Sequence, residues 1–508
     1  MFRPIAAAAL CLGLLAGTVC QAQTCDPNLP VNVKSCFGAK GNVRMAIGRC
    51  SITAGSSALT CTSAPFASID VGKTIYVQGA GTSGASLSST ISSYDSASSV
   101  SLANNAATTV TGKSIFWATD DTAALQNAYN HAVSHAHALY IPSGGGYLHH
   151  GLSWTGNNIK IYGDAYGGTD LYALAVTDPG KVNNSAPTVG VDISGSAYNQ
   201  ISNIAFWGSL RQWPDLAPFI NVLAGRSGSS GNSFAIAHIF ESDFFVTHGA
   251  YNVALYGYEQ SDFHNCHFET DLVPTNGNLY LSAANTPAFV SPYITLVQSP
   301  TSMSKVNVSG ARTVFSGSGR MVVLDQGATE SDYTISFRDA FVDMGNGSVF
   351  LSTTGPGAIR HITLDSVYAE TAERAGNVQM VNLSAPAWNW RMDNVQIYNN
   401  TGLSVSPYVF AKGFLAGEVL IDSVGQSPGY SNPEFNASSC AGSLLNLGQE
   451  QPTTNCTDYA LLINVSGYIL GPEQNASGGA GHVACWKSSG QPGYCTGSTS
   501  ADGTCNCR

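Results

Sequence analysis

Charge is scarce in this 508-residue chain: only 10% of its residues are charged, and the formal net charge is −11. No basic cluster stands against that background, which excludes a nucleic-acid partner, because phosphate binding needs a concentrated cationic surface. Long apolar runs are as scarce. The single candidate is 5–19, preceded by Met1, Phe2 and Arg3 and followed by Cys20-Gln21-Ala22. It is too short for a comfortable membrane span and has the layout of a secretory signal peptide, 1–22, cleaved after Ala22. No later segment approaches about 18 uninterrupted apolar residues, so no membrane partner is expected and the product is read as secreted, extracellular or periplasmic. Missing too are a compact Cys/His quartet with zinc spacing, a Gly-rich phosphate loop between strand and helix, and a nucleophile elbow. Gly144-Gly145-Gly146 reads as a turn.

The chain is rich instead in small and polar punctuation, with 54 glycines beside an ordinary apolar content of 44%. That balance suits many short strands joined by tight turns and is not the composition of a disordered chain. Of the 13 cysteines, two fall in the signal segment. Four lie early (Cys25, Cys36, Cys50, Cys61) and six late (Cys440, Cys456, Cys485, Cys495, Cys505, Cys507). Ten cysteines at the two ends suit disulfides that staple caps, their connectivity left open, while Cys266 stands alone in an apolar-alternating stretch and reads as a buried free thiol.

Four regions follow: 1–22, the signal segment; 23–117, a lead-in and β-rich insertion; 118–426, a helix and a repeat region; and 427–508, a Cys-rich cap. In the second, Lys73–Val77, Ser99–Leu102 and Lys113–Trp117 read as strands between Gly, Asn and Ser breaks. Thr119 or Asp120 can cap a helix along which Ala124, Leu125, Ala128, Tyr129 and Ala132 recur with helical spacing. Beyond it the chain repeats: a short alternating strand, an Asn or Asp, another short strand. The recurring residue is Asn203, Asn265, Asp339, Asp365, Asp393 and Asp422, the last four spaced by 26, 28 and 29 residues. Such a period suits one coil of a three-stranded solenoid, in which stacked neighbours bury what a single coil cannot. A sharp corner forces left-handed backbone angles, which Asn and Asp tolerate, so these six are read as structural.

The phrases Phe37-Gly38-Ala39-Lys40-Gly41-Asn42, Thr119-Asp120-Asp121-Thr122, Leu139-Tyr140-Ile141-Pro142 and Asn158-Ile159-Lys160-Ile161-Tyr162-Gly163-Asp164 together resemble the N-terminal signature of the pectate-lyase-like superfamily, over roughly 31–165. That superfamily includes pectate lyases, polygalacturonases and phage tailspikes. The resemblance implies an all-β fold, a right-handed parallel β-helix with an N-terminal capping helix. It also implies a polysaccharide partner, and a monomeric or homotrimeric state. The departure is an insertion of about 75 residues between the first phrase and the helix. Neither the polygalacturonase catalytic set nor the calcium-binding Asp set of pectate lyases is found, so activity must be argued from a site.

Counting from the corner residues, Glu269 and Asp343 each lie four positions on, and Glu370 five. All three are placed just past the third strand of a coil. Asp343 and Glu370, one coil apart, are expected about 5 Å from each other, a separation that suits a retaining glycosidase. Like charges so close favour a shared proton, which a general acid needs. Asp325 is a further acidic candidate. A lyase would instead need a base and a cation against a uronate, and Arg338, Arg360, His361 and Arg374 are the candidates, with Ca²⁺ as the only cofactor envisaged and none for a hydrolase. Trp388 is a candidate sugar platform. His264 and His267 flank Cys266 on opposite faces, and one of them is read as a buried histidine. Two functions remain open: a secreted enzyme that cleaves polysaccharide, by hydrolysis or β-elimination, and a non-catalytic glycan-binding or surface-structural β-helix.

Overall fold

In a computed structural model the described residues are 25–371, apart from gaps of one or two residues and the segments 176–187, 226–235, 271–293, 298–303, 326–332 and 355–360; beyond 371 strand backbones alone are described. Three parallel sheets of 14, 10 and 8 strands, here sheets I, II and III, run the length of the repeat region. One coil shows the path: Tyr333–Arg338 in sheet I, Phe341–Met344 in sheet II and Val349–Thr354 in sheet III. Each strand pairs in parallel with its counterpart one coil on, as in Phe337 opposite Leu364, Val342 opposite Ala369 and Leu351 opposite Val381. Parallel strands joined by such crossovers wind right-handed. The protein is a right-handed parallel β-helix, the fold of the superfamily that the N-terminal phrases resemble.

Alternation fills the interior. Phe206, Phe245, Phe268 and Phe315 occupy one inward row of sheet II, with consecutive rings 5.4, 5.1 and 4.8 Å apart and nearly coplanar. Each buried ring contributes roughly 1.5–3 kcal/mol from surface removed from water. At the turn from sheet II to sheet III the buried Asn221 donates to the carbonyls of Phe206 (2.9 Å) and Val246 (3.1 Å) and to Asn252 Oδ1 (3.0 Å). These bonds satisfy the buried amide and tie successive coils together.

The corner between sheets I and II is left-handed as expected at Asn203, Asn265 and Asp339, with φ of 59°, 54° and 54°. The other three expected corner residues are displaced. Asp365 is the last residue of its sheet I strand, opposite Arg338, and Asp393 and Asp422 continue that row. The corner itself passes to Ser366 (φ 54°), as it does to Ser242 (φ 58°) and Gly310 (φ 105°) in other coils. A hydroxyl or a missing side chain meets the same local demand as an amide, so the sequence pattern shifts by one where Ser follows Asp. The shift makes the spacing regular: Glu370 lies four past Ser366, as Asp343 lies four past Asp339.

The N-terminal phrases hold the first coil closed. Helix Thr122–Ser134 buries Leu125, Ala128, Tyr129 and Ala132 against Val31, Val33, Leu139 and Trp154. Its N-cap residue is Asp121 and not the expected Thr119 or Asp120, although Asp120 Oδ1 accepts from the Thr122 amide at 2.9 Å. The neighbouring Asp121 carboxylate accepts from the amides of Lys40 (2.7 Å) and Gly41 (2.9 Å). Asn42 exchanges two bonds with Thr119, at 3.0 and 2.9 Å. The two phrases, about 80 residues apart in sequence, are therefore the halves of one clamp.

Between them the insertion is a closed, antiparallel six-stranded barrel of Arg44–Ile52, Ala58–Cys61, Ser99–Leu102, Leu87–Ser96, Thr74–Val77 and Val110–Ala118. Cys50 and Cys61 are cross-strand neighbours and form a disulfide inside it, so this bridge staples the barrel and not an end cap. Cys25 and Cys36 are thiols; burial and the Cys36 thiol beside it push Cys25 up to about 11. Cys266 is free and buried as expected. The late cysteines' side chains lie outside the described residues. The barrel packs Val43, Tyr76, Phe116 and Ala118 against Leu148, Tyr172, Leu174 and Trp213 of the β-helix. It therefore covers the outward face of sheet II at its first coils.

Candidate functional site

Two outward rows run along sheet II. In the first, Ala205, Phe244, His267, Val314, Phe341 and Tyr368 stand side by side on successive strands. In the second stand Trp207, Val246, Glu269, Ser316, Asp343 and Glu370. Neighbouring strands lie about 4.8 Å apart, so Asp343 and Glu370 are one strand spacing apart and Glu269 is two spacings from Asp343. The three acids belong to strands His267–Thr270, Phe341–Met344 and Tyr368–Thr371. They were expected in loops past the strand. Instead they sit within it, at outward positions that the alternation with buried Phe268, Val342 and Ala369 dictates.

Each acid has a distinct setting. Ser316 Oγ donates to Asp343 Oδ2 at 3.3 Å, which fixes that carboxylate's rotamer. His267 Nε2 lies 3.3 Å from Glu269 Oε2. The hydrogen bond from His267 holds Glu269 below the ordinary carboxylate value against the opposing pull of burial, with help from the His267 and His248 charges. His248 is depressed to about 4, chiefly by burial and further by Arg211 nearby, while Glu269 pulls it the other way. At the barrel end, Trp207 stacks on Tyr172 (5.7 Å) and donates from Nε1 to Asp170 Oδ1 at 2.9 Å. Burial raises Asp170 in spite of that bond. Aromatic pairs punctuate the first row: Phe244 stacks with His267 at 5.1 Å and Phe341 with Tyr368 at 5.7 Å.

The remaining expected residues are dispersed. Arg338 and His361 are exposed at opposite ends of neighbouring sheet I strands, across the corner from the acids, so they do not face the pair. Asp325 ends a sheet III strand, on the third face of the coil. Trp388 lies in sheet I strand Ala387–Asp393. The side chains of Asp325 and Trp388, and Arg360 and Arg374 entirely, lie outside the described residues. His264 is exposed and His267 half-buried, so neither is the buried histidine expected there; among the described residues His149 and His238 are the fully buried ones. Ser316, His248 and Arg211 went unrecognised in the sequence. Ser316 belongs to no motif and is placed only by its register opposite Asp343, while His248, with Arg211 near it, comes close to Glu269 only through the folding of separate coils.

Fold and site define a parallel β-helix with an acidic and aromatic track on one outward face. No protein-family model and no curated protein sequence matches the chain. Among solved structures it is similar to the Agl-KA catalytic domain, with 10% identity, a TM-score of 0.36, and coverage of 82% of this chain and 95% of that one. It is also similar to the catalytic domain of a GH87 α-1,3-glucanase in complex with nigerose (12% identity, TM-score 0.29, 88% and 93% covered). A third is the Pseudomonas phage phi297 tailspike (12% identity, TM-score 0.29, 78% of this chain), of which the match spans 66%.

Proposed function

We propose that this protein is a secreted enzyme that hydrolyses a polysaccharide lying along the outward face of sheet II. The observation that carries the reading is the register of Asp343 opposite Glu370, with Ser316 bonded to Asp343. One strand spacing is close to the separation of about 5–5.5 Å that retaining glycosidases use. Asp343, oriented by Ser316, is the nucleophile: its oxygen bonds the anomeric carbon as the glycosidic C–O bond breaks. Glu370, on a longer stem, gives its proton to the departing oxygen, then takes one from the water that cleaves the glycosyl ester. Phe341 and Tyr368 alongside offer ring faces to sugar C–H groups. No Lys or Arg stands in either row beside the pair, so the described groups support hydrolysis over elimination from a uronate.

Incubating the protein with a panel of polysaccharides, reading both new reducing ends and absorbance of unsaturated uronates, tests the reading. Reducing ends without that absorbance are expected. The absorbance would replace hydrolysis by lyase chemistry, and silence on every polymer, with retention on one of them, would make this a glycan-binding β-helix.

A further inference from the structure

A second concavity lies away from the acidic face, where the barrel meets the first coils. It encloses ≈ 330 Å³, at the small end of ligand sites. Thr74 and Thr90 stand opposite one another on adjacent barrel strands, as do Tyr76 and Ser88. Asn104 joins them, its side-chain amide donating to the Ser88 carbonyl at 3.2 Å. From the β-helix comes His150, whose Nδ1 lies 2.6 Å from the Leu174 carbonyl and whose Nε2 lies 3.6 Å from Asp120 Oδ2. Burial, with the nearby Asp120 charge, raises the Tyr76 phenol, so its hydroxyl keeps its proton. No hydrogen bond to a described residue engages the hydroxyl of Thr74 or Thr90.

Among the described residues the lining is hydroxyl, phenol, amide and imidazole with Ala175 beside them, and no Lys or Arg joins it. Phosphates and uronates find no cationic partner among these described groups. Vicinal hydroxyls of an uncharged sugar match both the donors and the acceptors. We propose that this junction cleft binds one unit of a neutral saccharide, at a site separate from the sheet II face. The inference stands whether or not sheet II cleaves glycans.

Saturation-transfer NMR on the full-length protein, with methyl glucoside, methyl galactoside, methyl mannoside and N-acetylglucosamine at about 5 mM, tests it, since a single unit is expected to bind with a dissociation constant of roughly 1 mM. Ser88 is exposed on the barrel opposite Tyr76, so Ser88→Phe fills the cleft from its rim. Asn104→Ala removes the amide without adding bulk. At least one sugar should show transfer that drops about fivefold or more, roughly 1 kcal/mol, in both variants and persists in Asp343→Asn. Absence of transfer from all four sugars, or equal transfer in wild type and Ser88→Phe, would overturn the site. Stronger transfer from methyl glucuronoside than from the neutral sugars would overturn the class of ligand.

Discussion

His238 sits in the interior with both ring nitrogens unpartnered, and burial depresses it to about 4. His149, fully buried, is depressed to about 3 by the same cause, opposed only weakly by Asp120. Below the ordinary histidine value of about 6.5 the unfolded chain takes up protons that these two native imidazoles refuse. Stability is therefore expected to be flat above that value and to fall as the pH drops from about 6.5 toward 4, by up to about 1.4 kcal/mol per pH unit for each group. His238→Leu should raise stability at neutral pH by about 1–2 kcal/mol and flatten the acid slope by about one proton; denaturant melts at several pH values measure both. An unchanged slope would mean that His238 finds a partner in solution. At the proposed site, Asp343→Asn and Glu370→Gln should each lower the turnover number by roughly 10²–10⁴-fold with an unchanged melting temperature. Full activity in both would remove the pair from the mechanism.

At the scale of elements, the corner between sheets I and II decides where every side chain on sheet II points. Asp339 holds it in the left-handed region, whereas Asp365 does not. Asp339→Ala should cost about 1 kcal/mol and Asp339→Gly almost nothing, because glycine carries no left-handed penalty. Asp365→Ala should stay within about 0.5 kcal/mol, as befits a surface position. Equal losses at 339 and 365 in thermal melts would contradict the one-residue shift. At the opposite end, the Cys25 and Cys36 thiols lie in hydrogen-bonding contact ahead of the capping helix. In an oxidising compartment they should join. Non-reducing peptide maps should show Cys25 linked to Cys36 and Cys50 to Cys61, with Cys266 unmodified until the protein unfolds.

Across the whole molecule, the barrel is a structural partner of the β-helix. Phe116 meets Tyr172 at 5.7 Å and Trp213 at 5.9 Å, both edge-on, and Asp215 accepts from the Ser86 amide and hydroxyl at 2.7 and 2.9 Å. Docking there closes one end of the sheet II face and creates the junction cleft. Phe116→Ala should cost about 3–5 kcal/mol and separate a barrel transition from the β-helix transition in calorimetry. The wild type should melt with the two coupled.

The amino-acid sequence by itself determined the solenoid, its capping helix and the placing of Asp343 and Glu370 one coil apart. Those features are local and periodic: strand alternation, helix spacing, and a corner residue repeated once per turn. Tertiary structure alone decided the rest. Whether Asp365 or Ser366 makes the corner depends on which neighbour strand it pairs with, since a one-residue slip exchanges the two faces of a strand. That Arg338 and His361 lie around a corner from the acids, that Ser316 orients Asp343, and that 44–118 close into a barrel seated on sheet II all depend on contacts between residues distant in the chain. No spacing in the sequence encodes such contacts, because burial of apolar area selects the surfaces that meet and is indifferent to their order along the chain.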